Sequence, residues 1–172
     1  MRRALIPALM VLTACAPRTG NAPVDLPESW EARRDIWAAL QPMARGRGIE
    51  PGFVYAIIKL ESNFEPHARR GDARGLMQIR PRAWQAVSDI PYEPAVWDWR
   101  TNMRVGIDRL ASLKRALERK GVFSYPLLWA SYHYGFEYVA SRGFDMSRID
   151  RPSDPISRRL WSGETQPLEP PK

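Results

Sequence analysis

Between Glu61 and Ile79 the chain reads Glu-Ser-Asn-Phe-Glu-Pro-His-Ala-Arg-Arg-Gly-Asp-Ala-Arg-Gly-Leu-Met-Gln-Ile, and this stretch restricts the fold more than any other. It opens with an acid at an apolar position. Pro51 is suited to the first position of a helix, and residues on a helix advance by about 100° each. Phe53, Val54, Ile57, Ile58 and Leu60 then share one apolar arc, with Glu61 in the middle of it. A carboxyl group among apolar side chains loses hydration mainly from its charged form, and a general acid needs the protonated form. The same position also fits a frayed helix end, with the carboxylate turned to water or bonded to a backbone amide. Spacing alone does not separate the two.

Phe64 and Pro66 end this helix, Gly71 and Gly75 punctuate a loop, and Gly75-Leu76-Met77-Gln78-Ile79 restarts structure with an uncharged amide among apolar neighbours. An amide beside an acid suits a polar, uncharged substrate such as a sugar. The order Glu-Ser-x-Phe-x-Pro, then Gly-x-Ala-x-Gly-Leu-Met-Gln-Ile-x-Pro, resembles the signature of the soluble-type lytic transglycosylases, relatives of goose-type lysozyme. The resemblance covers roughly residues 30–143. It implies an all-α, lysozyme-like fold: a single compact helical domain with a cleft between helical lobes.

The chain of 172 residues is long enough for one domain with a real core. Seven Trp, six Tyr and five Phe suit a core or a sugar cleft equally, because aromatic faces pack against apolar side chains and pyranose C–H surfaces alike. The formal charge of +7 falls to +5 if Arg2 and Arg3 leave with a leader, and such a chain is drawn to polyanions. Its cations are scattered, as in Arg33-Arg34, Arg69-Arg70, Lys114-Arg115, Arg119-Lys120 and Arg158-Arg159. An anionic wall or membrane surface explains them as well as nucleic acid would. No zinc-finger spacing, RNP-like segment or Gly-rich phosphate loop occurs, so nucleic acid is not the expected partner.

Residues 1–14 read as a leader: Met1-Arg2-Arg3 is basic, Ala4 to Leu12 is apolar, and small residues precede Cys15. The apolar run is too short for a permanent membrane span. Leu12-Thr13-Ala14-Cys15 resembles the lipobox of bacterial lipoproteins, which implies cleavage before Cys15 and a lipid on that residue. An ordinary secretory signal cut after Ala14 or Ala16, or a chance apolar start, is the alternative. Cys15 is the single cysteine, and a thiol without a disulfide partner is a poor choice for an exported chain, which favours acylation. Several acyl chains anchor stably where one is marginal. Ala16 after the cysteine resembles lipoproteins passed to the outer membrane, so the expected location is the envelope, facing the periplasm. Residues 15–28, with Pro17, Gly20, Asn21, Pro23 and Pro27, form the expected tether.

The catalytic domain is expected over 29–163. Ser29 is placed to cap a helix carrying Trp30, Ile36, Trp37 and Leu40, which Pro42 kinks or ends. Pro81 starts a short helix through Ser88 that buries Trp84 and Val87. The segment from Asp89 to Trp99 reads as irregular, its aromatics Tyr92, Trp97 and Trp99 assigned to packing rather than the site. Thr101 is the expected cap of a helix with Met103, Ile107, Leu110, Leu113 and Leu117 on its buried side and Arg104, Asp108 and Arg109 on other faces. Asn102 and Gly106 fit the family's Asn-x-x-x-Gly pattern and are read as packing residues. A helix from Ser124 to Ser141, apolar nearly all round, is expected to be central. A short helix near Ile156 to Trp161 follows, and 164–172 is expected to be a Pro-rich flexible tail.

Glycosidases normally use two acids, yet Glu65 lies too close to Pro66 and Asp72 sits in the loop with no reason to face the bond. The resemblance implies one acid used twice. Glu61 would protonate the oxygen joining N-acetylmuramic acid (MurNAc) to N-acetylglucosamine (GlcNAc), then as carboxylate take the proton from the muramoyl 6-hydroxyl, closing a 1,6-anhydro ring. No metal or organic cofactor is implied. Gln78, Met77, Tyr132 and His133 are the expected substrate-binding residues, with the Tyr132 hydroxyl near the acid. A goose-type muramidase that admits water, or a non-catalytic peptidoglycan-binding scaffold, would use the same features. Ala130-Ser131-Tyr132-His133-Tyr134-Gly135 stands where the family usually has Ala-Ala-Tyr-Asn-x-Gly, so His133 replaces Asn; Arg70 replaces a frequent Ser and Ala83 a frequent Thr. Imidazole still donates a hydrogen bond, though its tautomer and charge make the subsite pH-sensitive. Arg70 either meets the anionic peptide stem of the glycan or points to water.

Overall fold

Helix α2, Pro51–Ser62, runs through the centre with every residue from Pro51 to Ile58 buried. Pro51 supplies a first turn that needs no N–H partner. Asn63 ends the helix in the left-handed region (φ 55°) and returns its N–H to the Lys59 carbonyl. The computed structural model describes residues 30–171. The expected leader, Cys15, the tether and the Ser29 cap lie outside the described residues.

Helix α1, Trp30–Arg45, contains Pro42 without ending at it and packs on α2 and on α5, Trp99–Arg119. Ile36, Leu40 and Ala44 form its buried stripe, as the helical spacing predicts. The expected cap of α5 is displaced: Asp98, not Thr101, is the N-cap, and its Oδ1 accepts the Thr101 N–H at 2.7 Å. A short acceptor side chain reaches back to the third helical amide from this position, so the helix starts at Trp99.

A small hairpin follows α2, with β1, Arg69–Arg70, antiparallel to β2, Ala73–Arg74, in the register Arg69 to Arg74 and Arg70 to Ala73. Gly71 turns the chain at φ 59°, a conformation that costs glycine little. Sequence periodicity carried no sign of these strands, which are too short to alternate. Helix α3, Pro81–Gln85, ends earlier than expected, and α4, Tyr92–Ala95, forms within the segment expected to be irregular. The Trp84 ring is fully buried and its Nε1 donates to the Ile90 carbonyl at 2.6 Å.

The long helix expected from Ser124 to Ser141 is two helices, α6, Tyr125–His133, and α7, Phe136–Ser141. The break is at Gly135, where φ is 99°, a region that other residues rarely enter. Helix α6 packs on α5, α7 and α8, Pro155–Trp161. The ending does not stay clear of the domain as its proline content suggests. Pro167 and Pro171 are buried, the Arg159 side chain donates to the Pro167 carbonyl and pairs with Glu164, and Gln166 lies over Gly52 at the start of α2. Proline has little backbone freedom to lose on packing, so composition alone does not keep it away. Among the described residues no helix is long and apolar enough to cross a membrane.

Candidate active site

Glu61 stands in the last turn of α2, and its side chain is 11% exposed. It forms one wall of a cleft of about 380 Å³, a size usual for a small-ligand site. The hairpin contributes Arg70 and Ala73, the following loop Gln78, Ile79 and Arg80, and the end of α6 contributes Tyr132 and His133. The end of α6, 72 residues further along the chain at His133, therefore meets the hairpin and its loop around one acid.

The carboxyl group is not left among apolar side chains as its arc suggested. Glutamate has the length to carry it past Ile57 and Ile58, which are buried beneath, into the polar cleft. There Oε2 accepts from Arg70 Nη1 at 3.3 Å, and Oε1 faces His133 Nδ1 at 3.4 Å. Arg70 Nη2 also donates to the Glu61 carbonyl at 3.1 Å. His133 is held flat on Trp129, ring centroids 5.4 Å apart and planes within 10°. Of the two dispositions open to Arg70 in the sequence, water or an anion, the structure adds a third: it rests on the acid.

The Tyr132 hydroxyl gives its proton to the Met77 carbonyl at 2.8 Å, not to the Glu61 carboxyl. Burial, with the nearby Glu61 charge acting in the same direction, pushes its phenol far above the usual tyrosine range, so it stays a neutral donor. Met77 is fully buried and absent from the cleft wall. Of the expected substrate-binding residues, Met77 is the one whose side chain takes no place on the cleft wall. Its sulfur packs against Gly106, where an added Cβ would lie 2.3 Å away, and its backbone is held by Tyr132 and by Asn102 Oδ1, which accepts the Met77 N–H at 2.9 Å. Asn102 and Gly106 are thus packing residues, as expected, and they set the height of the Gln78 loop.

Gln78 lines the cleft in a positive-φ conformation (φ 46°), uncommon for a non-glycine residue and concentrated at functional sites. Its Nε2 donates to the carbonyls of Ala68 and Gly75 at 2.9 and 2.8 Å. That leaves Oε1 buried with no partner. A buried acceptor without a donor costs free energy, a cost concentrated in the loop that borders the acid.

The sequence of the Transglycosylase SLT domain family matches residues 39–144, which include the acid, the hairpin loop and the end of α6. The chain belongs to that family. The X-ray structure of an inactive Glu→Gln mutant of lytic transglycosylase Slt from Pseudomonas aeruginosa is similar at a TM-score of 0.53 and 25% identity. The match covers 77% of this chain and 20% of that one, so the chain spans about a fifth of that protein's length. No curated protein matches the chain. The fold is the all-α, lysozyme-like SLT domain.

Within this SLT domain Glu61 is, among the described residues, the one carboxylate on the cleft wall. Asp72 pairs with Arg80 on the exposed hairpin at 3.2 Å, and Glu65 Oε1 accepts the His67 N–H at 2.9 Å. Arg109, expected on a face of α5 other than the buried one, lines the cleft, as do Arg80, Ala83 and Tyr134. Helical periodicity separates buried from unburied faces, and a cleft wall reads like solvent. Tyr92, Trp97 and Trp99 stay out of the cleft wall, as assigned.

Proposed function

We propose that this protein is a peptidoglycan lytic transglycosylase that cleaves the MurNAc-β-1,4-GlcNAc bond and leaves 1,6-anhydro-MurNAc ends, with Glu61 as its single catalytic carboxyl. The observation that carries the reading is one acid, Glu61, on a cleft wall built by the family's own motif, with neither Glu65 nor Asp72 beside it. The inactive Glu→Gln form of the Pseudomonas aeruginosa Slt supports a mechanism in which one glutamate matters.

Protonated Glu61 gives its proton to the linking oxygen as the bond from that oxygen to muramoyl C1 breaks, and the substrate's acetamido group stabilises the cation developing at C1. The resulting carboxylate then takes the proton of the muramoyl 6-hydroxyl as O6 bonds to C1. The proton lost in the first step is regained in the second, and water does not enter the balance. Gln78, on the cleft wall, and His133, edging the acid, position the sugars. Met77 and Tyr132 act through the loop they hold.

Purified peptidoglycan digested with the protein should release fragments with anhydro ends, read by mass spectrometry. Reducing ends without anhydro product would make it a muramidase of the goose-lysozyme type. Glu61→Gln keeps the shape, removes the proton, and should lower the rate by roughly 10²–10⁴-fold; a variant as fast as the parent would remove Glu61 from the chemistry. If the parent itself releases nothing, a wall-binding scaffold replaces the enzyme.

We place the enzyme at the envelope, anchored through lipid on Cys15 and facing the periplasm, on the support of the Leu12-Thr13-Ala14-Cys15 sequence. A tether of the length of residues 15–28 extends several nanometres at most, at about 3 Å per residue. That confines cutting to nearby wall. Cys15→Ala should leave the cleft chemistry intact and release the protein from membranes. Retention after a high-salt wash, with no lipid found on the parent, would leave a plain periplasmic enzyme.

A further inference from the structure

Both oxygens of Glu61 are engaged, Oε2 by Arg70 and Oε1 by His133. A glycosidic oxygen approaching the acid therefore meets one of these groups beside each carboxyl oxygen. His133 is stacked on Trp129. Arg70 is the more exposed of the two: its side chain is 62% exposed against 37% for His133, it rises from a two-residue strand, and it meets the carboxylate through one nitrogen at 3.3 Å while its other nitrogen holds the Glu61 carbonyl at 3.1 Å. A guanidinium prefers two parallel bonds to a carboxylate, and this contact is not of that kind.

The cleft also carries more positive charge than it neutralises. Arg80 has its partner in Asp72, while Arg109, on the wall beside Tyr132, forms no ion pair among the described residues. Arg70 and Arg109 share the cleft wall with one carboxylate, Glu61, which Arg70 contacts. A ligand that completes the cleft brings a negative charge of its own.

We propose that Arg70, with Arg109 on the same cleft wall, reads a carboxylate carried by the muramoyl residue, and that this carboxylate draws the Arg70 guanidinium off Glu61 as the sugar seats. The charge comes either from the lactyl group of a muramoyl residue without a peptide or from the peptide stem. This deepens the reading of the site as a muramoyl-glycan cleft and rests on it. Arg70 is then a specificity residue: a glycan with no charge at this point leaves it in place over the acid.

The test uses GlcNAc–MurNAc tetrasaccharides joined by sulfur in place of the glycosidic oxygen, in three forms: free lactyl carboxylate, lactyl amide, and a short stem with its carboxylates. Calorimetry with the parent at low salt should show the charged forms binding about tenfold more tightly than the amide, as a hydrogen-bonded charge pair implies. The advantage should shrink at high salt and vanish in Arg70→Gln. Whichever charged form keeps the advantage identifies the source of the carboxylate. Equal binding of the amide and both charged forms, or an advantage unchanged in Arg70→Gln, overturns the proposal. Turnover plays no part in this measurement, so a charge preference without anhydro products would sink the transglycosylase reading alone, and anhydro products without a charge preference would sink only the role of Arg70.

Discussion

Asn102 Oδ1 accepts the backbone N–H of Met77 at 2.9 Å, tying the first turn of α5 to the loop that carries Gln78. The same carboxamide donates from Nδ2 to the carbonyls of Arg74 and Val96 at 3.1 and 3.0 Å, and it is fully buried. Asn102→Ala leaves the Met77 N–H and the Val96 carbonyl without partners and the Arg74 carbonyl with the Ile79 N–H alone, and should lower stability by about 3 kcal/mol, measured by urea unfolding. A change below about 0.5 kcal/mol, the level of an ordinary surface substitution, would mean the loop is held elsewhere.

Gly106 is the second tie. A methyl group there meets Met77 Sδ, Cβ and Cε at 2.3, 2.9 and 2.9 Å, so Gly106→Ala should cost about 1–3 kcal/mol by overpacking. Part of the loss should return in the double variant with Met77→Ala, because the two groups compete for one space. Strict additivity of the two changes would place the strain away from this contact.

Tyr132 gives the chain a pH signature. Its phenol is raised above 10.0 in the folded protein, chiefly by burial, whereas the unfolded chain loses that proton near about pH 10. Above that pH the unfolded state binds fewer protons, so the contribution is fully present below it and is lost as pH climbs towards the folded value. Tyr132→Phe should cost about 1–2 kcal/mol near neutrality, through the unpaired Met77 carbonyl, and this deficit should narrow in unfolding curves taken above about pH 10. A deficit that stays constant would show that the phenol titrates alike in both states.

The C-terminal segment bears on α2. Gly52→Ala would place a methyl group 2.9 Å from the Thr165 carbonyl and from Gln166 Cγ, which should unseat residues 164–171 without touching the cleft. Limited proteolysis should then cut that segment faster than in the parent. Equal cutting rates would show that the segment is not seated on α2.

The helical class, the acid and the order of the Gln78 loop were legible in the chain because each is local: proline and glycine punctuate it, and apolar residues recur at helical spacing. The buried stripe of α1 and the packing roles of Asn102 and Gly106 followed the same way. Tertiary structure decided the rest. Whether a helix is buried on one face or all round depends on its neighbours, and α2 lies against both α1 and α8. Met77 and Gln78 are adjacent in a motif, yet one fills the space over Gly106 and the other lines the cleft. Arg109 and Arg70 reach the acid's surroundings from α5 and the hairpin, and no spacing along the chain separates a side chain facing a cleft from one facing water, because both surfaces are polar and both are wet.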